Sequence, residues 1–179
     1  MGPVSGDFAL SMDELRIVAR FAAYSAEAVL PDFEAELPDD PRPRAALAAA
    51  LTFACGAPRT NLQRTTAVAA HRASKEATSE AARLAAQACG DAAAAAYLHP
   101  IAKPTQVGHI LRSAACAARV AELKAGGDEA AAMSAITSTA HHATLKLRDV
   151  LNRYPLAPSG TGRLAQIMSA LDVFLRHQI

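Results

Sequence analysis

Six histidines are the side chains of this sequence best suited to acid-base or metal chemistry: His71, His99, His109, His141, His142 and His177. His99 and His109 flank a loop containing Lys103, Pro104, Thr105 and Gln106, and that loop could fold both rings toward one pocket. Such a pocket would bind a small ligand, or a metal through His99, His109 and one of the His141/His142 pair. Adjacent helical residues diverge by about 100 degrees, so His141 and His142 do not chelate by themselves. No HExxH and no repeated Glu-x-x-His is present, and the plainer expectation is neutral histidines bonded to nearby carbonyls or carboxylates.

The run Pro38 to Arg44, PDDPRPR, is the densest polar punctuation in the chain. Asp39 and Asp40 can accept first-turn backbone N–H groups, and Arg42 and Arg44 extend from the same turn and could clamp a carboxylate. Two arginines in a first turn oppose the helix dipole, so some carboxylate should meet them. The stretch reads either as a structural corner or as a contact surface. A nucleophile is harder to find. There is no GxSxG, P-loop or GxGxxG, and Gly126-Gly127 and Gly160-Thr161-Gly162 read as helix punctuation. Cys55, Cys89 and Cys116 are widely spaced and form no CxxC pair, which argues against a disulfide framework and a structural zinc, and Cys116 sits mid-helix among alanines, where a thiol is ordinarily inert packing. The residues therefore point away from an enzyme, and they carry no cofactor motif.

The elements that must position these residues are helices. The chain has 179 residues, 45 of them alanine, with aromatics at 4% and no tryptophan. That composition builds closely packed helices rather than a sandwich or barrel. Ser11 and Glu14 form a capping box before a helix over about Met12 to Leu30, with Pro31 as a kink or a new start. Asp40 and Pro41 open a second helix, ending near Cys55. A long third helix is expected from Thr60 or Asn61 to Cys89, with Gly90 as terminator and Asp91 as the next cap. Further helices are expected over Ala92 to Ala102, Thr105 to Ala125, Asp128 to Tyr154 and Arg163 to Arg176, with no strand. The expectation is an all-α, single-domain bundle of about seven largely antiparallel helices over residues 11–179, preceded by a flexible segment, residues 1–10.

Charge is balanced overall, at 18 basic and 17 acidic residues, so no global field favours nucleic acid. No stretch is apolar enough to span a bilayer, Met1 to Leu10 is not a secretory signal, and a reducing cytoplasm is the simplest location. The distribution is uneven: residues 1–40 hold nine acids and two bases. This acidic lobe either steers a basic partner or pairs with the basic remainder inside the fold.

Three segments carry a family likeness: Leu30 to Leu47 (LPDFEAELPDDPRPRAAL), Tyr97 to Leu111 with His99 and His109, and Leu151 to Met168 (LNRYPLAPSGTGRLAQIM). Over roughly Asp13 to Arg176 the chain resembles bacterial immunity proteins of the immunity-family-five-like type, which are all-helical and alanine-rich. The resemblance implies a cytoplasmic protein that binds and neutralises a co-encoded polymorphic toxin, and it brings no catalytic residues. Matching positions are Asp40, Pro41, Arg42 and Pro43, then His99 and His109, then Tyr154 and Pro155. The family pattern has a tryptophan and a glycine near the end of helix two. Here that region reads Leu51-Thr52-Phe53-Ala54-Cys55-Gly56, and Phe53 can supply the packing. The leading expectation is thus a cognate protein toxin as partner, met by Asp39, Asp40, Arg42, Arg44, His99 and His109, with no nucleic acid or membrane. A ligand- or metal-binding protein using a His99/His109 pocket, and a self-associating protein such as a homodimer, are the alternatives.

Overall fold

The computed structural model describes residues 4–177, and its architecture is all-helical. Of the segments read from sequence as an N-terminal tail and a single domain, residues 1–3 and 178–179 lie outside the described residues. The first helix, α1, spans Met12–Glu36. Ser11 accepts from the Glu14 N–H and the Glu14 carboxylate accepts from the Ser11 N–H, which completes the expected capping box. α1 passes through Pro31 without ending, because Val29, Leu30 and Phe33 on either side of it are buried and packing outweighs one lost backbone bond.

Helix α2 spans Arg42–Ala54. Where one long helix was expected next, there are two: α3, Asn61–Glu76, and α4, Glu80–Ala94. The break at 77–79 is built from outside the segment. The Glu36 carboxylate, at the end of α1, accepts from the backbone N–H groups of Thr78 and Ser79 and from the Thr78 hydroxyl. Ser79 then caps α4 through the Ala82 N–H. Gly90 and Asp91 do not end a helix. They lie inside α4, which continues to Ala94 and a 3-10 turn over Ala95–Tyr97.

A second short 3-10 turn, Pro104–Gln106, leads into α5, Val107–Lys124, and Gly126 and Gly127 take positive φ beyond its end. The expected helix from Asp128 to Tyr154 is also two, α6 over Glu129–Ala140 and α7 over Leu145–Leu151, with Thr144 capping the latter through the Leu147 N–H. α8 spans Arg163–His177. The described residues thus form an all-α bundle of eight helices, against about seven expected. A two-stranded hairpin, Val4–Ser5 against Ala9–Leu10, precedes them where no strand was expected. Distant partners hold it: the Asp7 N–H donates to Pro100 O, the Asp7 carboxylate accepts from Ala102 N–H, and Arg153 donates to Ala9 O.

α4 is the central helix, packed against α1, α2, α3 and α5. Its sequence explains how: Ala82, Ala85, Ala86, Ala88, Cys89, Ala92 and Ala93 are all fully buried, and side chains this small let four neighbours approach closely. Phe33 and Phe53 supply the largest buried volumes, and the Arg16 guanidinium lies 5.7 Å from the Phe53 ring centre. Four carboxylates are buried in this apolar frame, and each meets arginine: Glu14 with Arg153, Asp91 with Arg112, Glu122 with Arg119 and Arg163, Asp172 with Arg176. An unpaired buried charge would be strongly destabilising, so these pairs fix which elements sit together. The last of them is the most connected. Asp172 also accepts from the Ala157 N–H, and Arg176 donates to Tyr154 O and Pro155 O, which clamps the linker before α8.

Candidate functional site

The sequence-selected histidines His99 and His109 line one cleft, of about 400 Å³, between α3, the end of α4 and the start of α5. α3 contributes Arg64, Ala67, Val68 and His71; α4 and the turn after it contribute Ala94 and Tyr97. His71 did not stand out in sequence, yet it forms the middle of the wall. Its position depends on Gly90: a Cβ there would lie 2.1 Å from His71 Cδ2 and 3.1 Å from Ala67 O, so the glycine is what lets the imidazole lie against α4. One residue further along α4, Asp91 is 2% exposed. Its carboxylate takes a hydrogen bond from Arg112 Nε at 3.1 Å on one oxygen and stands 3.3 Å from His71 Nε2 on the other.

That second contact lacks hydrogen-bond geometry, leaving His71 Nε2 and also His109 Nδ1 as buried atoms without a protein partner. Such atoms are uncommon in cores and each costs on the order of 1–3 kcal/mol. Burial, and then the Arg112 charge, lower the His109 pKa, so at neutral pH its ring is uncharged. His99 is exposed at the rim, and its backbone is fixed twice. Its N–H donates to Gln106 Oε1 at 3.0 Å and its carbonyl accepts from the Tyr154 hydroxyl at 2.9 Å. The second bond brings together two of the three family-like segments, with the Phe8 ring packed edge-on against Tyr154. Among the described residues, no group of three His, Cys, Asp or Glu is arranged to hold a metal ion.

The exposed face of α3 leads away from this cleft. Arg64, Val68, Arg72 and Lys75 recur at three- and four-residue steps, and all four are exposed. No ion pair is formed by Arg64, Arg72 or Lys75 among the described residues. At the far end, about 24 Å along a 16-residue helix, α3 meets the Pro38 to Arg44 corner. There Arg42 is bound to Asp40 and to Glu76 at the end of α3, and Arg44 forms two bonds to Glu34. The carboxylates that the opposed helix dipole calls for are thus present. Of the four corner residues, Asp39 alone is exposed and without a partner among the described residues.

The acidic lobe is consumed in the same way. Of its nine carboxylates, seven are engaged: Asp7, Asp13, Glu14, Asp32, Glu34, Glu36 and Asp40, leaving Glu27 and Asp39. Local acidity in the sequence is therefore mostly internal pairing, whereas the exposed face of α3 carries three cations outside any ion pair among the described residues.

Other candidates are engaged elsewhere. His142 stacks on Tyr24 with ring centres 3.6 Å apart, at the mouth of a larger cavity of about 500 Å³ that Arg16 and Arg20 also line. Those two guanidiniums donate to Gly56 O and Ala54 O, and so cap the end of α2. Cys89 and Cys116 are buried, and burial pushes the Cys89 thiol up to about 12 and that of Cys116 well above its usual value. No described helix is long and apolar enough to cross a membrane.

No curated protein and no solved structure matches the chain. Residues 9–135, more than two-thirds of the chain, match a family described as Imm-5 like putative immunity protein. That stretch takes in the hairpin's second strand, α1 to α5, the whole histidine cleft, the exposed face of α3 and the Pro38 to Arg44 corner. The chain belongs to this Imm-5 like immunity family.

Proposed function

We propose that the protein binds a cognate toxin of its own cell, in the cytoplasm, and neutralises it by occlusion. Membership of the immunity family carries this reading. The surface assigned to the toxin is the exposed face of α3 with its two ends, from the cleft rim at His99 and His109 to the corner of Asp39, Asp40, Arg42 and Arg44. Two features support this choice. Val68 offers an exposed apolar centre, 46% accessible, among Arg72 and Lys75, which have no acidic partner among the described residues. The flanks are rigid, because Arg42 and Arg44 are held in ion pairs and arrive at an interface already ordered. The complementary toxin surface would be acidic around an apolar patch.

Growth rescue tests the activity. Each product encoded beside the gene is expressed in a bacterial host with and without this protein. A neighbouring product that arrests growth alone, and is harmless in its presence, is the expected result. Arrest that persists when both proteins are produced in soluble form would overturn the reading.

A further inference from the structure

We propose that the cleft between α3, the end of α4 and the start of α5 is a binding site for the oxyanion group, phosphate or carboxylate, of a small molecule. This inference does not rest on the toxin reading, although Arg64, Val68 and the cleft rim belong to both surfaces. A volume of about 400 Å³ lies within the range of small-molecule sites, where apolar walls carry a few convergent polar groups. Here Ala67, Val68, Ala94 and Tyr97 make the walls, and Arg64, His71, His99 and His109 are the polar groups. The lining contains no carboxylate, and the nearest one, Asp91 behind His71, is already paired with Arg112.

The histidine nitrogens support the same polarity. Nδ1 of His109 is buried without a partner, and a buried N–H left unpaired is the rarer and costlier state. The favoured tautomer therefore carries its proton on Nε2, which makes the ring a donor through the nitrogen not sealed in the core. His71 has its Nε2 against the Asp91 carboxylate at 3.3 Å, which leaves Nδ1 for a ligand. Arg112 holds the Asp91 carboxylate in place behind the ring. Arg64 supplies a guanidinium that no acid among the described residues neutralises, and guanidinium is the natural partner of a phosphate or carboxylate. His99 closes the rim, on a backbone pinned by Gln106 and Tyr154.

The six histidines allow a test with internal controls. Nitrogen-detected spectra of the imidazoles in the full chain are followed while inorganic phosphate is added, and separately acetate, at constant ionic strength set with sodium chloride. The proposal expects saturable shifts at His71, His99 and His109 with none at His141, His142 and His177. It also expects roughly tenfold weaker binding in Arg64→Gln, the loss of one charge-assisted bond. Arg64 is exposed and unpaired, so this variant keeps its fold, and the far-ultraviolet circular dichroism spectrum verifies that. Response to phosphate alone assigns a phosphoryl ligand, response to acetate alone assigns a carboxylate, and response to both assigns oxyanions generally. Absence of saturable shifts with either anion, equal shifts at all six rings, or unchanged affinity in Arg64→Gln would overturn the proposal.

Discussion

Gly90→Ala tests the geometry on which the cleft depends, since it opposes two effects of known size. Within a helix, replacing glycine by alanine ordinarily stabilises by about 1 kcal/mol. Against that, the new Cβ would stand 2.1 Å from His71 Cδ2 and 2.4 Å from His71 Nε2, and must displace the ring or the helix. Overpacking of this kind costs typically 1–3 kcal/mol. The expected net effect is thus a loss of about 0–2 kcal/mol, with the ring pushed from Asp91. In a His71→Ala background the ring is gone and only Ala67 O, at 3.1 Å, remains close. There the propensity gain should prevail, and Gly90→Ala becomes neutral or stabilising by about 1 kcal/mol. Urea unfolding of the wild type, both single variants and the double variant gives the coupling energy, expected to be at least about 1 kcal/mol. A Gly90→Ala variant equally stabilised in both backgrounds, with coupling below about 0.5 kcal/mol, would refute the packing of His71 on Gly90 and the cleft wall with it.

Further expectations concern the buried charges and thiols. Glu14 is held at about 2, below its ordinary 4.5, chiefly by the Arg153 hydrogen bond. A lowered folded-state pKa contributes stability that is complete above about 4.5 and is lost as pH falls toward 2. Urea midpoints from pH 7 to pH 3 should fall in the wild type and fall less in Glu14→Gln. Arg176→Ala leaves Asp172 buried without its ion partner and frees Tyr154 O and Pro155 O, and should cost about 3 kcal/mol in the same assay. At the corner, Asp39→Lys should change stability by less than about 0.5 kcal/mol, whereas Asp40→Lys loses the Arg42 pair and should cost about 1 kcal/mol, measured by thermal unfolding. Of the three thiols, the exposed Cys55 should react rapidly with a maleimide in the native protein, and Cys89 and Cys116 only after denaturant is added.

Much of the fold is legible in the sequence because its signals are local. The capping box at Ser11, the Gly126-Gly127 terminator and the alanine-rich helical period each act through neighbours in the chain, and the structure contains all three. The errors have a common cause in distant partners. The break between α3 and α4 is made by Glu36, 42 residues upstream of Thr78. The hairpin at Val4–Leu10 is anchored on Pro100, Ala102 and Arg153. Gly90 followed by Asp91 looks like a terminator and a cap, but both serve a tertiary contact that no local pattern encodes. The candidate site divides in the same way. His99 and His109 frame a recognisable loop, whereas His71 and Arg64 join them only once α3 lies against α4. The acidity of residues 1–40 misleads because net charge in sequence does not record which carboxylates find partners.

The central claim is that the exposed face of α3 recognises a cognate toxin. Its most direct measurement is a paired capture from native cells, with the wild-type protein and an Arg72→Glu/Lys75→Glu variant as tagged baits, quantified by mass spectrometry. Both substitutions fall on exposed residues outside any ion pair among the described residues, so the variant should remain folded. The account predicts one dominant protein, encoded next to the gene and able to arrest growth, retained by the wild type and at least tenfold depleted on the variant. Equal retention of that protein by both baits would contradict it.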